Sequence, residues 1–486
     1  MFCISIAHDA RILSLGQDSL VAERRGRKIA LRGIGGLEPA LQRLGEDVAD
    51  GCGALDPRTD GDADLPAHMR KRVYEVLQIL VRRGIAEVHC LAGERLLMVA
   101  RSTGHLCALR MDTLASADEP GQDLPDRAGR KFQLSRFACI HRADERLVVE
   151  CPQRSVRVTV VAPEIGTLIA AFAEPRGLAE IGDLIPGSTP PRAEHCLRFL
   201  AACGVIEEIG QGGQLNEDTH PELRQREFHD VLMHMQSRWG LTDSRIGGVF
   251  PFAGVIEPSP AIRPSFSGDR LRLPHPDLEL ILKSDPPLAE VMENRSSYRK
   301  YSDVPLSAAQ LGEFLYRVAR IKSVRPRQGT HPEDYETSNR TYPSGGATYD
   351  LEIYPAVRAC DGVTAGLYHY EPLEHTLTAI PCEAAHLAGL FRHASFASRQ
   401  QGTPQVLFTI TSRFSRLAWK YRGIAYATTL RNVGVLYEAM YLTATAMGLA
   451  PCALGSGDSA LFSVMTSLDP LIESSVGEFM LGTRER

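Results

Sequence analysis

Four short segments in the second half of the chain carry the side chains best suited to binding and chemistry. The first is Arg295-Ser296-Ser297-Tyr298-Arg299, in which two arginines flank a hydroxyl group. Forked guanidinium groups and a hydroxyl donor suit phosphate oxygens, so Arg295, Ser297 and Arg299 are candidate phosphate ligands. Because the pattern Arg-x-Ser-x-Arg is common by chance, a solvated basic turn is the competing interpretation.

Two glycine-containing segments can bring the backbone close to a flat ligand. Glycine allows a close approach and leaves N–H groups exposed as donors. An ordinary turn and a glycine-terminated helix end explain the two segments equally well. The segments are Pro343-Ser344-Gly345-Gly346-Ala347 and Pro451-Cys452-Ala453-Leu454-Gly455, the second directly after a long apolar helix.

The fourth segment is the pair Lys420-Tyr421. A lysine beside a tyrosine in an apolar setting can supply a base for proton abstraction. Taken alone, the pair has little weight, because adjacent lysine and tyrosine residues occur often without any catalytic role.

The bulk composition narrows the class of protein. The chain has 486 residues, enough for two or three domains, and its net charge of -5 gives no bulk reason to expect nucleic-acid binding. Its 11 cysteines are scattered without a CxxC pair, which argues against a metal site and a disulfide framework. No apolar run reaches the ~20 residues of a membrane span, and the N-terminus reads as a strand rather than a signal peptide. We expect a cytoplasmic protein.

The front half contains a diverged repeat. Each copy has a hairpin-like pair of apolar stretches and, later, an amphipathic helix that ends at a glycine. Leu77 and Gly84 in the first copy have the same spacing as Leu197 and Gly204 in the second. Glycine suits the left-handed turn that ends a helix, and each glycine is followed by a predicted strand.

Helix, glycine and strand is the order of a winged helix, so the pattern predicts winged-helix-like units at residues 1–110 and 130–215. The helix before Gly204 is poor in arginine and lysine, which disfavours DNA binding. An exposed strand edge that captures an extended peptide by β-augmentation is the alternative function. A packing or dimerisation module is the purely structural interpretation.

The remaining chain is predicted to be a connector at residues 216–285 and one domain at 286–486. The connector begins with helical spacing and continues as a Pro-rich extended stretch. The domain pattern predicts Ser307 as the N-cap of an amphipathic helix, and a long, central and buried helix ahead of Pro451. The acidic segment 111–131 is a predicted linker or mobile loop.

In this order, the four segments resemble the FMN-dependent nitroreductase superfamily, and more closely its SagB/ThcOx-type azoline (thiazoline/oxazoline) dehydrogenases. The resemblance covers residues 225–486, roughly half of the chain, and includes the stretches TYPSGGATYDLEIY, GLYHYEP, MGLAPCALG and GEFMLGT. The stretch REFHDVLMHMQSRWG followed by GGVFPFAGVIEPSPA is similar to the connector of that family, which a general nitroreductase lacks.

The resemblance implies an α+β fold with the architecture of the cyanobactin oxidases. Two winged-helix-like peptide-clamp units would precede a C-terminal nitroreductase-like FMN domain, in which helices flank a central mixed or antiparallel sheet. FMN would lie between the subunits of a homodimer. The partners implied are an azoline-containing precursor peptide and a cyclodehydratase.

The resemblance also implies roles for individual residues. Lys420 and Tyr421 would form the acid/base element. The Pro-Ser-Gly loop would approach the flavin from the partner subunit, and the segment after the long helix would pass near flavin N5. The implied cofactor ligands are Arg295, Ser297 and Arg299 for the phosphate and ribityl chain, Pro343, Ser344 and Gly345 for the loop, Pro451, Ala453, Leu454 and Gly455 near N5, and Arg484 or Arg486 for the phosphate.

The implied reaction is oxidation of thiazolines or oxazolines to thiazoles or oxazoles in a ribosomally made peptide. One hydrogen would leave as a proton and the other as a hydride to flavin N5, with reoxidation by dioxygen. The absence of a GxGxxG motif after a strand favours an oxidase over a pyridine-nucleotide-driven enzyme. A NAD(P)H-dependent nitro or enone reductase and a non-catalytic scaffold of a cyclodehydratase complex are the alternatives.

The chain departs from the family pattern near the candidate base. Tyr426 is followed by Ala427 where the family has Tyr-Arg, and the long helix lacks the family's Gly-His and Gln-Asn pairs. These differences concern the substrate geometry, whereas the segments assigned to the flavin keep the family pattern.

Overall fold

The computed structural model describes residues 2–16, 18–24, 27–37, 41, 67–104, 107–111, 114, 129–143, 145–184, 190–242, 246–399 and 401–485. The chain divides into two compact units, residues 1–244 and residues 245–486. Most of the predicted linker 111–131 lies outside the described residues.

The first unit contains mainly strands, with helices between them. Its strands are β1 (Phe2–Ile6), β2 (Ala10–Gly16), β3 (Ser19–Arg24), β4 (Arg27–Arg32), β5 (Ala86–Ala92), β6 (Arg95–Ser102), β7 (Lys131–Leu134), β8 (Cys139–Ala143), β9 (Arg146–Cys151), β10 (Val156–Val160), β11 (Arg176–Gly177) and β12 (Ile206–Glu208). Its helices are α1 (Ala67–Arg82), α2 (Pro163–Ala171), α3 (Leu178–Ile181), α4 (Pro190–Cys203), α5 (Asn216–Thr219), α6 (Pro221–Arg224) and α7 (Phe228–Gln236).

One six-stranded sheet, in the order β1-β5-β6-β10-β9-β8, joins the two repeats found in the sequence. The joining pair is β6 with β10, which run antiparallel with Ala100 opposite Val158. The predicted hairpins are present as β3–β4 and β9–β10. Each repeat therefore forms its local elements as expected, and the two share a sheet and a hydrophobic core.

The two helix-ending glycines adopt the conformation that the sequence predicts. Gly84 follows α1 with a φ of +71°, and Gly204 follows α4 with a φ of +75°. Side chains at these φ values are strained, so glycine ends each helix and turns the chain into the next strand. The assignment of these units as winged helices stays a prediction.

The second unit contains the predicted C-terminal domain. Its strands are β13 (Gly247–Gly248), β14 (Arg270–Arg272), β15 (Leu306–Ser307), β16 (Ile321–Arg325), β17 (Thr337–Arg340), β18 (Leu351–Val357), β19 (Cys360–Asp361), β20 (Gly366–Glu371), β21 (Thr376–Ile380), β22 (Val406–Arg413), β23 (Tyr421–Arg422), β24 (Leu449–Leu454) and β25 (Glu473–Thr483). Its helices are α8 (Leu278–Ser284), α9 (Leu288–Asn294), α10 (Ala308–Ala319), α11 (Ala384–Ala397), α12 (Phe414–Ala418), α13 (Ala425–Ala446) and α14 (Ser459–Thr466).

A seven-stranded sheet forms the centre of this unit, in the order β14-β21-β20-β18-β22-β25-β24. All of its described pairings are antiparallel. Helices α10 and α13 contribute to the hydrophobic core on one face, while α11 and α14 contribute to the core on the other. The predicted α+β class, with a C-terminal sheet flanked by helices, is confirmed.

Two helices show how the sequence pattern sets the packing. Ser307 caps α10 by accepting a hydrogen bond from the Gln310 N–H, as the sequence predicts. Helix α13 buries Leu436 and Met440 completely but exposes Leu430 and Val435. The expectation that α13 is central and buried is therefore wrong for one of its faces, because a helix beside a sheet can pack only one stripe of side chains against it.

None of the helices within the described residues combines the length and the apolar character needed to cross a bilayer.

Candidate functional site

Arg295, Ser297 and Arg299 lie directly after α9, next to the edge strand of the large sheet. The Tyr298 N–H donates a hydrogen bond to the Pro451 carbonyl, 2.8 Å away. This bond fixes the segment beside β24, with Arg295 exposed and Arg299 half-buried. We call Arg295, Ser297, Arg299 and Arg484, together with β24, the arginine cluster.

Tyr441 of α13 links the two parts of the arginine cluster. Its hydroxyl lies 2.8 Å from Ser297 Oγ and accepts the Ala453 N–H at 2.9 Å. The Arg295 guanidinium lies 5.4 Å from the centre of the Tyr441 ring. One half-buried tyrosine therefore sets the distance between the candidate phosphate ligands and the strand edge.

Arg484 reaches the same place from the end of β25. Its Nε donates to the Leu449 carbonyl at 2.9 Å, and its guanidinium carbon lies 4.7 Å from the centre of the Tyr298 ring. Its buried Nη2 has no hydrogen-bond partner within the described residues. A buried donor without an acceptor is costly, so this nitrogen suits an anionic ligand. The alternative candidate, Arg486, lies outside the described residues.

The segment Pro451–Gly455 differs from the expectation. Residues up to Leu454 form β24 rather than a loop, and Gly455 is the first residue after it. The segment adds to the sheet because it pairs with β25, from Leu449 opposite Thr483 to Leu454 opposite Glu478. As an edge strand, β24 still has backbone groups that point away from β25. The Pro451 carbonyl accepts the Tyr298 N–H, and the Ala453 N–H donates to the Tyr441 hydroxyl. At Gly455, no atom of the described residues lies within 4 Å of where a Cβ atom would be.

The Pro343–Ala347 loop is held by Asn432 of α13 and by Asp350, the residue before β18. The Gly345 N–H donates to Asn432 Oδ1 at 2.9 Å, and Asn432 Nδ2 donates to Asp350 Oδ1 at 2.7 Å. Asp350 is fully buried and also accepts the hydroxyls of Ser412 and Thr429. This chain of bonds holds the loop in one position.

Both glycines of the loop are required by its close neighbours. A Cβ atom at Gly345 would collide with the Thr428 side chain, and one at Gly346 would collide with the Tyr421 hydroxyl. Gly346 also has a φ of +62°, in the left-handed region. The loop therefore lies directly against the candidate acid/base pair.

The Lys420 amine is the centre of a second polar group. Its Nζ donates to the Tyr335 hydroxyl at 2.7 Å and to the Gly346 carbonyl at 3.3 Å. The Tyr335 hydroxyl in turn donates to the same carbonyl at 3.3 Å. We call Tyr335, the Pro343–Ala347 loop and the pair Lys420 and Tyr421 the lysine cluster.

The structure thus sorts the predicted site residues into two places. Pro343, Ser344 and Gly345 lie with the candidate base, and Ser344 Oγ accepts the Tyr349 N–H at 3.1 Å. The other described candidates lie in the arginine cluster, except Gly455, which directly follows β24. Helix α13 contacts both clusters through Asn432 and Tyr441, nine residues apart, which is about 13 Å along a helix at 1.5 Å per residue. Within the described residues, no hydrogen bond joins the clusters directly.

Tyr335, Asn432 and Tyr441 are site residues that the sequence reasoning missed. Asn432 and Tyr441 belong to a helix whose pattern predicts packing, and a polar group there becomes informative only when its partner is known. Tyr335 lies in a polar stretch, HPEDYETSNR, without any periodic signal. Within the described residues, no group of three or more His, Cys, Asp or Glu side chains could hold a metal ion.

The model of the nitroreductase family matches residues 292–483, which include both clusters. Residues 292–483 belong to the nitroreductase family. A second model, that of the cyanobactin oxidase ThcOx, matches residues 132–243. Together, the two matches confirm the predicted resemblance to the SagB/ThcOx-type oxidases of the nitroreductase superfamily. The nitroreductase domain marks the chain as an oxidoreductase.

The relatives of this chain include one protein named as a nitroreductase and two named as processing proteins. A protein described as nitroreductase MJ1384 from Methanocaldococcus jannaschii is 28% identical over 39% of this chain and 86% of its own length. The trifolitoxin-processing protein TfxB of Rhizobium leguminosarum bv. trifolii is 24% identical over 65% of this chain and 86% of its own length. The microcin B17-processing protein McbC of Escherichia coli is 31% identical over 23% of this chain and 42% of its own length.

Proposed function

We propose that this protein is an FMN-dependent oxidase that converts thiazolines or oxazolines in a ribosomally made peptide into thiazoles or oxazoles. The observation that carries the proposal is Lys420, whose amine is fixed against the Gly346 carbonyl inside a nitroreductase-family domain. The names of TfxB and McbC describe proteins that process a toxin and a microcin, which supports a peptide as the substrate.

The arginine cluster fits FMN. Within the described residues, neither Arg295 nor Arg299 has a hydrogen bond or a carboxylate partner, and Arg484 has a buried nitrogen without an acceptor. A phosphate would satisfy such donors in pairs. Bound FMN would supply the acceptor for two electrons, which reacts in turn with dioxygen, whereas the residues of the chain supply its place and the handling of the proton.

Lys420, with Tyr421 beside it, is the proposed base. It would take the proton from the ring carbon that was the α-carbon of the residue. The electron pair of that C–H bond would form the new ring double bond as the hydrogen on the neighbouring β-carbon leaves with its own pair. A base held at a fixed position lowers the barrier to proton transfer, because less conformational freedom is lost on reaching the transition state.

A homodimer is the proposed assembly, with FMN between two subunits. Its support is the separation of the two clusters within one chain and the exposed stripe of α13. That stripe carries Leu430 and Val435, each more than one third exposed. A two-fold dimer built on this face would bring the loop of one subunit to the arginine cluster of the other.

The proposed partners are an azoline-containing precursor peptide and the cyclodehydratase that makes its rings. The ThcOx match lies in the first unit, at residues 132–243, which supports a role for this unit in holding the peptide. Holding a flexible part of the peptide would raise its effective concentration at the catalytic domain.

The deciding experiment is anaerobic reduction of the FMN-loaded protein. The purified protein is mixed with a synthetic peptide that carries one thiazoline, and separately with NADH and with NADPH, while the flavin absorbance is followed. Bleaching by the peptide alone, with a product lighter by one H2, supports azoline oxidation. If the peptide neither bleaches the flavin nor is converted to the lighter product, azoline oxidation is rejected.

Two other outcomes select the alternatives. Bleaching by NADH or NADPH alone would assign the protein to the nitro or enone reductases, a function that the match to nitroreductase MJ1384 favours. Peptide binding without any flavin reduction would instead indicate a non-catalytic scaffold of a cyclodehydratase complex.

A further inference from the structure

The Lys420 amine has two of its three outward positions defined by protein acceptors. The Tyr335 hydroxyl lies 2.7 Å away and the Gly346 carbonyl 3.3 Å away. An sp³ nitrogen bonded to Cε and directed at two acceptors has one remaining position. In the neutral amine, that position is the lone pair, so the two acceptors set the direction from which a proton can be taken.

Three aromatic rings surround the same nitrogen. The ring centres of Tyr335, Tyr421 and Phe250 lie 5.2, 5.3 and 5.7 Å from Nζ. Phe250 and Tyr335 also pack edge-on or tilted against Trp419, the residue before Lys420. These rings restrict the four-carbon stem of the lysine, whose freedom would otherwise oppose a single orientation.

Phe250 is brought there by the connector. Gly247 and Gly248 pair with β23, with Gly248 opposite Tyr421. The N–H groups of Val249 and Phe250 both donate to the Lys420 carbonyl, at 3.1 and 3.0 Å. Six residues later, the Ile256 carbonyl accepts the indole N–H of Trp419 at 2.6 Å.

The backbone of the connector is adapted to this contact. Phe250 has a φ of +46°, a conformation that side chains rarely adopt. Such strain persists only where the surroundings fix it, and it often marks a functional position. At Gly248, a Cβ atom would lie 3.4 Å from Lys420 Cε, so the strand lies in contact with the lysine stem.

We propose that Tyr335 and the connector residues Gly247–Phe250 are positioning residues for Lys420, which makes the connector a structural part of the catalytic centre. This inference rests on the proposed function, in which Lys420 serves in the acid/base step. Tyr335 sets the direction of the amine through its hydroxyl, and Phe250 confines the stem through its ring.

The first test uses Tyr335→Phe, which removes the hydroxyl and keeps the ring. With the thiazoline peptide, the anaerobic rate of flavin reduction should fall about 10-fold because one acceptor of the amine is lost, while the half-saturating peptide concentration stays unchanged. Combined with Lys420→Met, the same change should have no further effect, since the two residues act as one unit. If Tyr335→Phe lowers the reduction rate equally in the wild type and in Lys420→Met, the inference is overturned.

The second test does not depend on the reaction. The full-length protein is treated with formaldehyde and a borane reductant, and the methylation of Lys420 is followed by mass spectrometry of its peptide. Tyr335→Phe should speed the labelling of Lys420 several-fold, because the amine loses its nearest partner. Phe250→Leu should also speed it, because the stem is less confined. Unchanged labelling in both variants would reject the inference even if the enzyme oxidises azolines.

Tyr368→Phe is the matched control for both tests. It deletes a hydroxyl that donates to the Thr364 carbonyl at 2.8 Å, on β20 and outside both clusters. It should change neither the reduction rate nor the labelling of Lys420. If the wild-type protein fails to oxidise the peptide while Tyr335→Phe still changes the labelling, the proposed function is wrong and the positioning of Lys420 is not.

Discussion

Arg295 and Arg299 end in guanidinium groups without an acceptor among the described residues, whereas the amine of Lys420 already has two. A buried nitrogen of Arg484 in the arginine cluster is also unpaired within the described part of the chain. In the lysine cluster, the loop, the amine and the Tyr335 hydroxyl are bonded to one another. The first arrangement is suited to receiving a ligand, and the second to holding a reactive group in one orientation.

The two clusters should therefore contribute differently to the free energy of the reaction. Unpaired donors gain their hydrogen bonds only when an anion binds, so the arginine cluster should control affinity for the cofactor. Groups that are already paired gain little on binding, so the lysine cluster should control the rate of the chemical step. The two can be separated by mutation.

The largest expected effect is in the lysine cluster. Lys420→Met should lower the rate of peptide-driven flavin reduction by about 10²- to 10⁴-fold, the usual contribution of a positioned base. The FMN content should stay at the wild-type level, because no hydrogen bond between described residues joins Lys420 to the arginine cluster. Stopped-flow absorbance and cofactor analysis measure the two quantities. Lys322→Met, at an exposed lysine of β16, is the control and should change neither.

A smaller effect, on FMN affinity rather than on the reduction rate, is expected in the arginine cluster. Arg295→Ala or Arg299→Ala should each weaken FMN binding by about 10- to 100-fold, since a hydrogen bond to a charged group contributes about 1.5–3 kcal/mol. The reduction rate per bound flavin should change little. Equilibrium titration of the apoprotein measures the affinity, and Arg325→Ala, an exposed arginine of β16, serves as the control. Loss of rate without loss of affinity would contradict the division between the clusters.

Removing the Tyr441 hydroxyl should affect FMN binding less than removing either arginine. Tyr441→Phe removes one hydroxyl that serves both Ser297 and the Ala453 N–H. FMN should bind about 2- to 10-fold more weakly, the range for a net hydrogen bond of ~0.5–1.5 kcal/mol. Ser297→Ala should have a similar effect, and the double variant should be less than additive. Additive losses would show that the two hydroxyls act independently.

The smallest effect on activity is expected from Glu352 of β18, whose ionisation stabilises the fold. Burial alone would raise its pKa, but a hydrogen bond with His369 and the charges of Arg340 and Arg413 lower that pKa to about 2. A carboxyl whose pKa is lower in the folded state stabilises the fold above its unfolded pKa of 4.5, and the stabilisation is lost as the pH falls towards 2.

The measurement is urea unfolding between pH 5 and pH 2, followed by the fluorescence of buried Trp419 in a Trp239→Phe background. Glu352→Gln should be less stable than the wild type at pH 5, and the difference should shrink towards pH 2. Glu374→Gln, at an exposed carboxyl of the neighbouring turn, should follow the wild-type curve. A difference that stays constant with pH would mean that the ionisation of Glu352 does not contribute.

Local elements were predictable from the sequence because their signals are local. The capping serine at 307 and the helix-ending glycines at 84 and 204 follow from spacing and residue type. The β24 segment was predicted as a loop because its Pro and Gly residues favour turns. Pairing with β25, which lies more than twenty residues further along, overrides that preference.

The residues that could hold an anion or act as a base are recognisable in the sequence, since guanidinium and amine groups have these properties wherever they lie. Their grouping depends on the tertiary fold. It placed the Pro-Ser-Gly loop against Lys420 rather than against the arginines, and it recruited Tyr335, Asn432 and Tyr441. The physical reason is that hydrogen bonds act over about 3 Å, and residues distant in the chain reach that distance only after the sheet and α13 have packed.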